Sequence, residues 1–344
     1  MRILMVGHYP PHGGGVARHL DNLVRELRKR HEVHVLTYGP IKARGFEREF
    51  VHQVRVPPVY GLRGTTFAFA GAKRIVQLHK KFDFDIIHCH FAGTTSFSGA
   101  LAKEKTNLPL VVTAHGSDLE NTPKSHLGRF YVTRSLRRAD SVITVSHHLA
   151  RLARSLGAEN VEVIPNGLLE FEEPRRERRR YVTFIGALRD YKSPETFVKL
   201  ARFFPSTEFL VVGDGPLRGK LEAEAPPNVC FLGYRTDVDR ILSRSLLLVL
   251  PSRREGFGLV VLEANSLGVP AVGRRVSAIP ELIREGKNGL TFTSFEELVG
   301  EVKALLENPK NTRKMGSTGR RIAGKYSWKK VAREVERVYS SLVG

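Results

Sequence analysis

The sequence predicts an α/β protein built from two Rossmann-like domains with parallel sheets. Three observations carry that expectation. A β–loop–α–β unit opens the chain. Strand-like apolar runs then alternate with helical stretches to about residue 165. After a charged break the same alternation starts again, the pattern of doubly wound sheets covered by helices.

The opening run Arg2–Val6 is apolar and β-prone, and a turn, His12-Gly13-Gly14-Gly15, follows it. Apolar residues then recur at Val16, Leu20, Leu23, Val24 and Leu27. This spacing traces one face of a helix. The stretch from His31 to Thr37 alternates as a strand, and further strands are expected at Ile86–Cys89, Leu110–Thr113, Ser141–Val145 and Val161–Pro165. The stretch Glu170–Arg180 carries five arginines, four glutamates and a proline. It can bury little and reads as a linker or exposed loop. Beyond it, Tyr181–Ile185, Glu208–Val212, Val229–Leu232 and Leu246–Leu250 are nearly continuous in apolar residues, as strands of a parallel sheet covered on both faces are. Pro270–Val272 and Gly289–Phe292 read as short strands, and Trp328–Leu342 as a closing helix. The expected organisation is an N-terminal domain over 1–165, a C-terminal domain over 166–324, and a helix over 325–344 that packs back on the N-terminal domain. Two such domains facing each other would hold a ligand in a cleft at the carboxyl ends of both sheets.

Composition narrows the function classes. Of 344 residues 41% are hydrophobic, enough for two cores. No apolar run approaches the roughly 20 residues that span a bilayer, and MRILMVGHYPP reads as a buried strand rather than a signal peptide. Two distant cysteines, Cys89 and Cys230, offer no disulfide framework, in keeping with a reducing, cytoplasmic setting. Scarce glutamine with abundant Arg, Lys and Glu hints at a thermophilic source. The formal charge of +20 attracts nucleic acid, anionic lipid or phosphorylated ligands. No zinc-finger spacing, stacking-aromatic RNA motif or helix-turn-helix unit supports nucleic acid.

Three motifs bear on chemistry. Gly13-Gly14-Gly15 lies between a strand and a helix start, where backbone amides can approach a phosphate. A flexible turn explains it equally well. Glu255 and Glu263 flank the run EGFGLVVLE. On one helix they would be a little over two turns apart and share a side, and carboxylates suit sugar hydroxyls. Two solvated glutamates are the plainer account of the bare pair. His88 and His90 face one side of a strand, but no third ligand has metal-like spacing, so no metal is expected there.

The stretch PSRREGFGLVVLEANSLGVPAVG, Pro251–Gly273, resembles the signature of the family 4 glycosyltransferases, retaining enzymes of the GT-B fold with two facing Rossmann-like domains. GGGVARHL, DIIHCH, VVTAHGSD, VITVSHHL, VEVIPNG, VVGDGPLRGKLE and IPELIREGKNGL follow in the family's order, so the resemblance spans nearly the whole chain. It implies a hexosyltransferase that moves a hexose or N-acetylhexosamine from a nucleotide diphosphate sugar, with UDP the first choice and GDP the second. By the same resemblance Glu255 contacts the donor sugar and Glu263 the ribose. The amides of Gly256, Phe257, Gly258, Leu259 and Val260 contact sugar and phosphate, and Gly14 and Gly15 admit the diphosphate. His115 lies near the transferred sugar, and Lys192 neutralises the leaving diphosphate. Tyr234 and Arg235 are candidate base contacts. The implied mechanism is front-side displacement without a protein nucleophile, cofactor or metal.

The chain departs from the family at Ala187, where a second phosphate-binding arginine is usual, and Arg189 is the candidate replacement. Ser277-Ala278 stands where a glycine pair is common, and Leu168-Leu169 where Val-Asp is frequent. The acceptor, a glycan, a lipid-linked sugar or a small molecule, is expected on the N-terminal domain. There Tyr60–Phe82 and Glu120–Arg138 mix basic and aromatic residues. Such a surface suits peripheral contact with anionic lipid at the inner face of the membrane, or simply water. The competing readings are a weak or inactive sugar-nucleotide-binding relative, an epimerase or phosphorylase on the same architecture, and a basic nucleic-acid-binding protein.

Overall fold

The computed structural model describes residues 1–12, 14–38, 47–57, 59, 62–169 and 179–344. Gly13, Tyr60 and most of the charged stretch after Leu169 lie outside the described residues. The chain divides into two compact units, Met1–Gly167 with Trp328–Gly344, and Leu168–Ser327.

The first unit holds a seven-stranded sheet of order β3-β2-β1-β4-β5-β6-β7. Its strands are β1 (Arg2–Val6), β2 (Glu32–Tyr38), β3 (Val51–Val54), β4 (Ile86–His90), β5 (Leu110–Ala114), β6 (Ser141–Thr144) and β7 (Val161–Val163). Every pair is parallel. The helix Gly15–Leu27 returns the chain from β1 to β2, burying Leu20, Leu23, Val24 and Leu27. The last helix, Trp328–Val343, adds Val331, Val335 and Tyr339 to the same core as Leu20, Leu23 and Ile3. These side chains are interior parts of the unit, so the helix is integral to it.

The second unit holds a six-stranded sheet of order β10-β9-β8-β11-β12-β13. Its strands are β8 (Tyr181–Ile185), β9 (Glu208–Val212), β10 (Val229–Gly233), β11 (Ser245–Leu250), β12 (Ala271–Arg274) and β13 (Gly289–Phe292). All its pairs are parallel too. The core gathers Phe184, Phe197, Phe209, Val211, Leu247, Val249 and Phe292. Where β8 and β9 end, the chains come too close for a side chain. A Cβ on Gly213, at φ +135°, would lie 1.9 Å from the Gly186 carbonyl oxygen.

Strand positions agree with the sequence pattern to within a residue or two, except β3, which the pattern did not disclose. Val51–Val54 is an edge strand with a half-buried His52 and an exposed Gln53 between its valines. It therefore lacks the continuous apolar run of the central strands.

Candidate active site

In the second unit, β11 delivers a loop whose first residues, Pro251 and Ser252, are buried. The loop ends at Gly258, which caps the helix Leu259–Ser266 with φ +91°. A Cβ there would meet Ile279 Cδ1 at 2.9 Å and Glu255 Cγ at 3.4 Å, so glycine is required both for the turn and for the place of Glu255. Glu255 lies in the loop and Glu263 on the helix. The two do not share one helix face, because the left-handed residue at Gly258 ends helical geometry before Glu255 is reached. The helix begins with no acidic residue in its first turn, so its leading amides favour a negative ligand.

Lys192 arrives from the opposite loop. After β8 the chain makes a short turn, Asp190–Lys192, and Ser193 at φ +50° starts the helix Pro194–Ala201. Lys192 Nζ donates to Glu255 Oε2 at 2.6 Å, with the two side chains only 16% and 13% exposed. The loops are tied twice more. The Arg253 amide donates to the Tyr191 carbonyl at 2.8 Å, and Arg253 Nε donates to Ser193 Oγ at 3.0 Å. Arg254 lies over the Tyr191 ring, and Arg274 donates to the Pro251 carbonyl at 3.1 Å. Burial, then the nearby Arg253 guanidinium, pulls the Arg274 pKa down.

These arginines escaped the sequence reasoning although Arg253 and Arg254 lie inside the matched segment; neighbouring cations are not visible in a motif. Arg189, Tyr234 and Arg235 stand elsewhere. Arg189 is exposed, and its amide closes a tight turn onto the Ala187 carbonyl. Tyr234 is 73% exposed just past β10. Arg235 is held by both oxygens of Asp237, at 2.8 and 2.7 Å. Glu263 is half-buried in the first turns of its helix.

In the first unit Gly14, at φ +104°, precedes the helix Gly15–Leu27, and the space about a Cβ on either Gly14 or Gly15 is open. His115 follows β5, its amide held by Asp118 at 3.1 Å. Asp118 is fully buried and also accepts from the amides of Ala92 and Gly116, at 2.8 and 2.7 Å. Burial raises its pKa, against those donors.

His19, from the first helix, and His90, at the end of β4, complete a cluster with His115 whose ligand nitrogens lie within 4.8 Å of one another. His90 meets these partners from other elements of the fold, and His88 is not among them. His88 itself is committed, to Thr113 Oγ1 at 2.7 Å and Tyr339 Oη at 2.5 Å. Burial holds His19 down to about 4 and His88 to about 3. Burial and the neighbouring imidazoles keep His90 and His115 well below the usual range.

Residues 13–168 match the model of Glycosyltransferase Family 4, and residues 168–322 that of Glycosyl transferases group 1. The chain belongs to this glycosyltransferase family. It is a hexosyltransferase, with the two Rossmann-like domains of the GT-B fold. An uncharacterized glycosyltransferase of Methanocaldococcus jannaschii is 28% identical, with 99% of each chain covered. The N-acetyl-alpha-D-glucosaminyl L-malate synthase of Bacillus anthracis is 27% identical over 96% of this glycosyltransferase and 94% of its own length. Sucrose-phosphate synthase from Thermosynechococcus elongatus shares the fold, with a TM-score of 0.84, 20% identity and 99% and 98% of the two chains covered. The Anabaena protein HepE in complex with UDP and glucose does so with a TM-score of 0.81, 21% identity and coverage of 99% and 100%. In this glycosyltransferase the lysine and first glutamate of the family pattern are in direct contact, whereas the arginine of that pattern is Ala187.

Proposed function

We propose that the protein transfers a hexose or N-acetylhexosamine from a UDP-sugar to a hydroxyl acceptor with retention of anomeric configuration. The Lys192–Glu255 contact carries this reading. Two side chains assigned separately to diphosphate and sugar meet at one place in the second unit. When donor binds, Lys192 exchanges its carboxylate partner for the diphosphate, and Glu255 turns to the sugar hydroxyls. The acceptor oxygen bonds to the anomeric carbon as the bond from that carbon to the phosphate oxygen breaks. The nucleotide diphosphate leaves with the electron pair, and its phosphate oxygen takes the acceptor proton. Lys192 and the amides at the Leu259–Ser266 helix start meet the developing negative charge. The reading assigns no metal to this step. Glu263 holds the ribose, Tyr234 and Arg235 are placed near the base, and Arg189 assists at the diphosphate. In the first unit, Gly14 and Gly15 leave room for phosphate, and His115 serves the transferred sugar.

Support for UDP comes from the Anabaena protein HepE, solved with UDP and glucose. Support for an N-acetylhexosamine comes from the Bacillus anthracis relative, named for N-acetylglucosaminyl transfer to malate. A thermal-shift screen of nucleoside diphosphates and their sugars tests the donor. UDP and a UDP-sugar are expected to raise Tm above GDP, ADP and TDP. A larger shift with GDP replaces the base, and no shift with any of them removes the donor site. Ala187 favours one second reading, a relative that binds donor but transfers slowly. Donor-induced stabilisation without product from any acceptor would select it.

A further inference from the structure

We propose that His19, His90 and His115 form a binding site for a divalent transition metal of the Zn²⁺ class. They come from a helix, a strand end and a loop of the first unit, and their ligand nitrogens lie within 4.8 Å of one another. A Zn²⁺ ion bonds imidazole nitrogen at about 2.0–2.1 Å, so a tetrahedral site needs nitrogens about 3.4 Å apart. Binding of an ion therefore draws the three rings closer together.

The hydrogen bond of His19 leaves a lone pair, not an N–H group, on its other nitrogen. His19 Nδ1 meets Asn166 Oδ1 at 2.7 Å. The amide oxygen can only accept, so Nδ1 carries the proton and Nε2 carries the lone pair, the outer-shell arrangement that fixes metal-binding histidines. Both ring nitrogens of His90, and Nε2 of His115, are buried with no hydrogen-bond partner among the described residues. Unpartnered buried nitrogens are uncommon in a folded protein, and one nitrogen of His90 with Nε2 of His115, beside the oriented His19 ring, fits a shared ion. Burial keeps the rings neutral, the form in which imidazole ligates.

His88 is not the fourth ligand, because Thr113 and Tyr339 engage both its nitrogens. The fourth position is left to water or an anion. Asp118, fully buried on the His115 amide, supplies negative charge close by.

Chelator-treated protein is titrated with Co²⁺ and watched for the visible d–d bands of a low-coordinate ion. Expected are bands that saturate at one equivalent and are displaced by Zn²⁺. His19→Gln and His90→Gln each abolish them, and Asn166→Ala weakens affinity by about 10–100-fold. His52→Gln, which breaks the separate His34–His52 stack, leaves them intact. Absence of saturable bands in the unaltered protein, or bands unchanged in His19→Gln, overturns the site. If His90→Gln fails to fold, His19→Gln and Asn166→Ala carry the comparison.

A consequence for activity rests on the proposed role of His115. A bound ion takes the nitrogen assigned to the sugar, so one equivalent of Zn²⁺ is expected to inhibit transfer. Stoichiometric binding without inhibition supports the metal site and overturns that role of His115.

Discussion

Lys192 and Glu255 stand 63 positions apart and meet at 2.6 Å. Each holds the other's charge in a place where neither is well solvated, and in the proposed reaction an incoming phosphate replaces the carboxylate. Lys192→Ala is expected to lower turnover about 100-fold or more, the scale of losing one group that stabilises transition-state charge. A normal rate in a steady-state assay would assign that charge to Arg189. Glu263→Ala is expected to weaken binding of free UDP by about 1–3 kcal/mol, read by calorimetry. Unchanged affinity removes Glu263 from the ribose. As candidates these residues were legible in the sequence through the ordered motifs. The contact between Lys192 and Glu255 was not, because it joins two loops far apart in the chain. Nor was the histidine cluster legible, since its members lie 71 and 25 positions apart (90 − 19 and 115 − 90) and only the fold brings them together.

At the scale of elements, the central strands announced themselves because both their faces are buried, and the edge strand β3 did not. The turn between β12 and the helix Ile279–Leu282 shows the reverse case, a departure visible in sequence whose cost is visible only in structure. Ser277 takes φ +50° there, and the adjacent Ala278 amide donates to the Glu255 carbonyl at 3.2 Å. A left-handed conformation costs a residue with a Cβ about 1–2 kcal/mol. Ser277→Gly is therefore expected to stabilise by about 0.5–1 kcal/mol after the added freedom of the unfolded chain, measured by denaturant unfolding; destabilisation would show that Ser277 is held by its side chain. The helices Leu62–Phe82 and His126–Arg138 present a different element-scale feature. Phe69 and Phe130, 59% and 53% exposed, both rest on Phe97. Exposed Arg63, Lys73, Arg129 and Arg134 share these helices, the mixture that suits an anionic lipid surface. Co-sedimentation with anionic vesicles at physiological salt is expected, and Phe69→Ser with Phe130→Ser should reduce it. No sedimentation of the unaltered protein sinks membrane contact.

For the whole molecule, no helix among the described residues is long and apolar enough to cross a membrane. The net charge of +20 is spread over both halves of the chain, and buried histidines make its stability depend on pH. Burial, with His12 and Arg63, lowers His8 to about 4; burial, with His34, Arg74 and Lys81, does the same for His52. Unfolded histidine titrates near 6.5, so between these values the unfolded chain binds the extra protons. The contribution is complete above about 6.5 and is lost as pH falls toward 4. Tm is expected to be level above pH 6.5 and to decline below it, with a shallower decline in His52→Gln. An unaltered slope in that variant would assign the acid sensitivity to other groups.

The helix Trp328–Val343 has a further consequence, for the order in which the protein is made. Its residues Val331, Val335 and Tyr339 are core of the unit that begins at Met1, yet the ribosome adds them only after the entire unit Leu168–Ser327. At about 5–20 residues per second, the second unit emerges whole while the first still lacks its Tyr339 partner for His88. Vectorial folding is thus inverted here. The half of the protein synthesised first is completed last, and until then part of its apolar core lacks its covering helix.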